Sequence, residues 1–183
     1  MGENPIALRS KKKLMTALSE LMNEKPYREI TITELCDRAG LSRPAFYQNF
    51  GRIDDVLKRY IEELVRDTLD SENLAPVLTA EELANACMKV ITDNSEFFQI
   101  LIDNDLVGFV IEKCAWVFAT LPQTCGNLDE NSDQDFKRFY PIFAAAGIST
   151  IIASWMSTGK PFSEEKLVSC IKMSLEGIPF QEK

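Results

Sequence analysis

The chain has 183 residues, 45% of them apolar, with a formal charge of −8 and no histidine. A chain of this length and apolar content is globular, either one domain or a small domain joined to a larger one. The missing histidine removes the commonest general base and the commonest metal ligand together, and the overall acidity argues against a uniformly basic nucleic-acid coat.

Counted by segment, the charge is uneven. Residues 1–60 carry eleven Lys and Arg against eight Asp and Glu, a formal +3 that leaves −11 for the remainder. An acidic body would be repelled by phosphates and would help decide which end meets DNA. Cys36, Cys87, Cys114, Cys125 and Cys170 are odd in number, widely spaced and without a C-x-x-C, so neither a disulfide framework nor a zinc site is expected. The opening MGENPIALRSKKK has basic residues but no apolar stretch after them, so no signal peptide is expected, and the protein is read as cytoplasmic.

In chain order, residues 1–5 should be loose and Ile6 to about Asn23 a first helix, on which Leu14, Ala17, Leu18, Leu21 and Met22 make one apolar stripe. Arg9, Lys11, Lys12 and Lys13 lie at its start, as a solvated face or as phosphate contacts. Pro26 ends this helix. The stretch from Ile30 to Leu57 then reads as two short helices around a tight turn. Thr31 and Glu34 form a T-x-x-E capping box, Gly40 supplies the left-handed residue at the exit, and Ser42 caps the next helix. Arg43, Pro44 and Ala45 make its first turn, where proline's missing N–H costs nothing. Phe46 and Phe50, four apart, should be buried, which turns Arg43, Ala45, Tyr47, Gln48 and Asn49 outward.

Thr31, Ile32, Leu35, Cys36, Ala39, Gly40, Leu41, Ser42, Phe46, Tyr47 and Phe50 fit, in register, the pattern T-[VI]-x-x-[IL]-[AC]-x-x-A-G-[VL]-S-x-x-x-[FLI]-Y-x-x-F. The stretch thus resembles the N-terminal helix-turn-helix of the TetR family of transcriptional regulators. The resemblance implies an all-α fold, a homodimer on a roughly palindromic double-stranded DNA operator, and a small-molecule effector in the body. It also implies a phosphate contact from the Tyr47 hydroxyl. The sequence departs from the family pattern at Pro26, in place of a frequent glycine, at Ile53, in place of a lysine, and at Asn49, in place of a histidine or aromatic. Ile53 cannot bind a phosphate as that lysine would, and Arg52 or Asn49 could do so in its place.

A helix from about Ile53 to Leu69 should follow, with Asp54 and Asp55 favourably placed in its first turn and an apolar stripe wide enough to face two partners. The break SENLAPVLT leads into helices from Glu81 to about Asp93 and from Ser95 to about Ile102. Leu106 to Leu121 is apolar nearly all round and reads as a buried central helix. After a polar loop, QTCGNLDENSDQD, a long helix from about Asp133 to Thr158 has no charge between Phe139 and Gly159. A membrane span is weighed against Pro141 and a polar face of Ser149, Thr150, Ser154 and Ser157, and is set aside. A last helix runs from Ser163 to about Glu176. Gly147 to Leu167 also resembles the C-terminal dimerisation region of one branch of the family.

The resulting expectation is an all-α protein with a DNA-binding helix-turn-helix domain over residues 1–52. Residues 53–183 follow as connector helix and regulatory, ligand-binding and dimerisation domain. The DNA-binding candidates are Lys11, Lys12, Lys13, Thr31, Ser42, Arg43, Pro44, Ala45, Tyr47, Gln48, Asn49 and Arg52. Met88, Phe97, Phe98, Phe109, Glu112, Trp116, Phe118 and Phe143 are the candidate ligand lining, though such a stripe is core by default. Ile148, Ile151, Ile152, Trp155, Leu167, Ile171 and Leu175 are the candidate dimer interface. The function expected is a sequence-specific transcriptional regulator, a repressor released by a small molecule. A helical interaction module that dimerises without binding DNA is the rival. No catalytic residue, cofactor or metal site is assigned, and no enzymatic activity is expected.

Overall fold

The computed structural model describes residues 5–71, 79–120 and 134–176, which contain nine α-helices and no strand. The breaks expected around Pro76 and in the polar loop after Leu121 fall largely outside these residues, as do residues 1–4 and Cys125. The chain divides into two compact units, Met1–Ile61 and Glu62–Lys183.

In the first unit, α1 (Pro5–Glu24) buries Leu14, Met15, Ala17, Leu18, Leu21 and Met22, the one-sided stripe its spacing predicts. Pro26 cannot continue the helix, and a single 3-10 turn, Tyr27–Glu29, leads to α2 (Ile32–Ala39). The Thr31 hydroxyl accepts from the Glu34 N–H while the Glu34 carboxylate accepts from the Thr31 N–H, so two orphan donors are satisfied reciprocally. Gly40 closes the helix at φ +63°, and the Leu41 N–H reaches back to the Cys36 carbonyl at 2.9 Å. A side chain at that φ would be strained, which is why glycine stands there. α3 (Arg43–Tyr47) follows at once, the Ala45 N–H of its first turn donating to the Ser42 hydroxyl at 3.3 Å. α1, α2 and α3 pack on one another around Leu14, Leu18, Leu35 and Phe46, none of which is exposed.

α4 (Ile53–Ser71) starts in the first unit and ends in the second. The second unit continues with α5 (Ala80–Asp93), which opens on another reciprocal box between Thr79 and Glu82, and then α6 (Ser95–Asp103) and α7 (Val107–Thr120). α8 (Gln134–Ser157) contains Pro141, and Gly159 at φ +78° turns the chain toward α9 (Glu164–Glu176). α7 lies along α8, α5 along α9, and α6 and α9 also touch α8.

The expectation that α7 is buried all round is corrected. Val110, Val117 and Phe118 are buried, but Gly108, Glu112, Trp116 and Ala119 are exposed. An apolar residue on every side carries no periodic signal to say which side faces the core. Arg138–Ser157 is apolar and long enough to cross a membrane, and 44% of its most apolar window is packed inside the protein.

Candidate nucleic-acid interface

The local folding of α2 and α3 determines which side chains the first unit can offer a partner. Phe46 is fully buried and Phe50 is 8% exposed, whereas Tyr47, between them in sequence, is 53% exposed. This anchors one side of α3 in the core. Ser42, Arg43, Pro44, Tyr47 and Gln48 are brought together on the exposed side. Arg43 contributes a forked donor in the first turn, and Tyr47 and Gln48 contribute a hydroxyl and an amide at the last turn, so donors suited to phosphates and base edges share one face.

Other candidates are already committed within the protein. The Thr31 hydroxyl bonds the Glu34 carboxylate at 2.7 Å, and the half-buried Asn49 donates its amide to the Ala45 carbonyl at 2.8 Å. Ala45 is half-buried. Lys12 and Lys13 are exposed and Lys11 half-exposed on α1. A groove of about 400 Å³ joins Pro5, Ile6, Arg9, Ser10 and Lys13 of α1 to Leu41 in the turn. Two cations of α1 therefore border the turn that precedes α3, and Arg9 and Ser10 join the candidate face. Their sequence signal was the basic run itself.

Ion pairs brace the frame behind this face. Arg38 of α2 forks onto Glu24 of α1, and Lys25 bonds Glu34. The Lys25 ammonium and the Thr31 donors hold the Glu34 carboxyl down at about 2. Tyr27, buried in the 3-10 turn, donates to Asp54 of α4 at 2.7 Å; burial, and then this carboxylate, push its phenol upward.

The second unit contains a partly open cavity of about 50 Å³ lined by Val65, Leu83, Val90, Leu101, Val110, Ile148 and neighbouring apolar side chains, with Cys87, Cys114 and Ser149. Of the expected ligand residues, Phe98 and Phe118 line it. Met88 and Phe97 are buried elsewhere in the core, Phe109 is half-buried, and Glu112, Trp116 and Phe143 are exposed. Trp116 lies on the outside under the Arg66 guanidinium, 4.6 Å from the ring centroid. The cavity is thus mostly aliphatic, with two of the candidate aromatic side chains in its wall. Burial pushes the Cys114 thiol up to about 12, which makes it inert at neutral pH.

The expected dimer residues are redistributed in the same way. Ile148, Ile152, Trp155, Leu167 and Ile171 are between 0% and 5% exposed within one chain, so they have no surface left for a partner. Ile151 and Leu175 are half-exposed beside a shallow groove between α8 and α9. Among the described residues, the large apolar side chains that α8 and α9 do expose are Phe139, Ile142, Phe143 and Met173.

The geometry of the first unit, with two capped helices joined through a left-handed glycine and a short second helix exposing polar side chains, is that of a helix-turn-helix DNA-binding domain. Comparison with known proteins agrees: residues 14–60 match the family described as bacterial regulatory proteins, tetR family. The N-terminal domain belongs to the TetR family. The chain is similar to the HTH-type transcriptional activator FasR of Mycolicibacterium smegmatis, 30% identical over 103 residues, a stretch that covers 51% of this chain and 46% of that protein. The match thus spans less than half the length of that relative. Among solved structures, Lin0861 from Listeria innocua shares the fold with a TM-score of 0.74 at 20% identity, over 94% of this chain and 92% of that one.

Proposed function

We propose that the protein is a homodimeric, sequence-specific transcriptional regulator. In this reading, residues 1–52 bind a palindromic DNA operator in the cytoplasm, and residues 53–183 dimerise and take up a small-molecule effector. The observation that carries the DNA reading is the division of α3, with Phe46 sealed in the core and Arg43, Tyr47 and Gln48 exposed together. An interaction module could use the same fold, but the cations of α1 bordering the turn favour a phosphate-bearing partner. Selection of bound sequences from random duplexes tests this: enrichment of a two-fold symmetric site supports the reading, and no enrichment at low salt overturns it.

Dimerisation is supported by the exposed apolar residues Phe139, Ile142 and Phe143, spaced along one side of α8, and Met173 on α9. Such side chains are characteristic of the buried core of an interface. The effector reading rests on the aliphatic cavity. At about 50 Å³ it is smaller than the roughly 150 Å³ that accommodates benzene in an engineered core, so a ligand must move the walls. Val65 of α4 is part of that wall, and we infer that its displacement along α4 alters DNA binding.

Repression is the sign of regulation we propose, by occlusion wherever the operator overlaps a promoter. The similarity to FasR, an activator by name, supports activation as a second reading. A reporter carrying the selected operator within or upstream of a promoter separates the two.

A further inference from the structure

Two aspartates at the start of α4 hold one arginine at both ends. Oδ2 of Asp55 accepts from the backbone N–H of Arg52 at 2.9 Å and of Gly51 at 3.2 Å, which determines where the main chain of the arginine stands. Oδ2 of Asp54 accepts from Nη2 of Arg52 at 2.9 Å, while its Oδ1 accepts from the hydroxyl of Tyr27 at 2.7 Å. Tyr27 is 9% exposed and belongs to the turn after α1. The Arg52 side chain, by contrast, is 77% exposed. A carboxylate that shares its two oxygens between a buried donor and an exposed one passes the position of the first to the second.

Arg52 also supplies the positive charge of its junction. From Gln48 to Ile53, the junction after α3 contains no other basic residue, and the half-buried Asn49 commits one of its amide N–H groups to the Ala45 carbonyl. The bond to Asp54 engages one nitrogen of a group that carries five donors, so the arginine can keep its tether and still grip a phosphate.

We propose that Tyr27 and Asp54 are positioning residues that hold Arg52 ready as the phosphate-binding arm of this junction. The proposal rests on the DNA-binding reading above. It makes a buried tyrosine, remote from α3 in sequence, a determinant of affinity and not of base preference.

The test is a double-mutant cycle on the full chain, measuring affinity for its selected duplex over a range of salt concentrations. Arg52→Ala should weaken binding about tenfold on every sequence and lower the magnitude of the log–log salt slope by about one per subunit. Tyr27→Phe should weaken binding by about threefold to fivefold with base preference unchanged, and should cost nothing further once Arg52 is alanine. A role confined to stability would multiply with the loss of Arg52 instead, and that additive result overturns the proposal, as does an Arg52→Ala protein that binds like the parent. Thermal unfolding of each variant accompanies the titration. Should Tyr27→Phe fail to fold, Asp54→Ala cuts the same tether at its exposed end. It must then lower affinity when Arg52 is present and leave it equal or higher when Arg52 is absent. A parent that selects no duplex sinks this proposal together with the DNA reading, whereas a parent that binds while the cycle is additive sinks this proposal alone.

Discussion

The guanidinium of Arg38 closes on the carboxylate of Glu24 through two hydrogen bonds of 2.9 and 2.7 Å, tying α2 to the end of α1. The hydrogen bonds from Arg38 hold the Glu24 carboxyl below its ordinary value of 4.5. Because the unfolded chain then takes up the proton first, the pair stabilises the domain fully above that ordinary value and gives way as pH falls below it. Glu24→Gln should therefore lower the thermal midpoint at pH 7, with the gap to the parent closing as pH falls below 4.5. A gap of constant size across that range would contradict the assignment.

Most of this half was legible in the sequence because its signals are local. The Thr31 and Glu34 box, the left-handed Gly40, the Ser42 cap and the buried pair Phe46 and Phe50 each depend on residues no more than a few positions apart. The ties from Arg38 to Glu24 and from Tyr27 to Asp54 cross 14 and 27 positions, and no periodicity announces a partner at that range. In the body the boundaries of the helices were readable and their faces were not. α7 carries apolar residues on nearly every side, and α8 buries Ser149 of its polar face while exposing Phe139 and Phe143, so Ile148 and Trp155 could be read as interface when they are core, and Trp116 as pocket when it is surface.

Core and interface on the last two helices should fail differently. Ile171 is fully buried in its own chain, so Ile171→Ala should cost about 2–5 kcal/mol of stability. Phe143 is 66% exposed, and Phe143→Glu should change monomer stability by no more than about 0.5 kcal/mol while abolishing the dimer. Sedimentation and chemical denaturation on both variants check this. A Phe143→Glu protein that remains dimeric would move the interface elsewhere.

The cavity offers a gain-of-stability test. Val110 lines it, and Val110→Ile adds one methylene to a space of about 50 Å³. Filling a real void should raise stability by about 0.5–1 kcal/mol, seen as a higher denaturant midpoint at unchanged slope. It should also blunt the response to any apolar compound that releases DNA. A loss of stability would mean that the site is already full.

Whether the exposed side of α3 grips DNA is decided by titration of a selected duplex with the parent, Tyr47→Phe and Arg43→Ala over a range of salt concentrations. Tyr47→Phe removes only a hydroxyl and should weaken binding by a similar factor on every sequence. Arg43→Ala should cost roughly 1–3 kcal/mol on the best site and flatten preference at one base pair per half-site, as expected of a fork that reads guanine O6 and N7. A loss that is uniform across sequences, with the salt slope reduced by about one per subunit, would reassign Arg43 to a phosphate. Both variants binding as tightly as the parent at physiological salt would mean that α3 does not touch DNA.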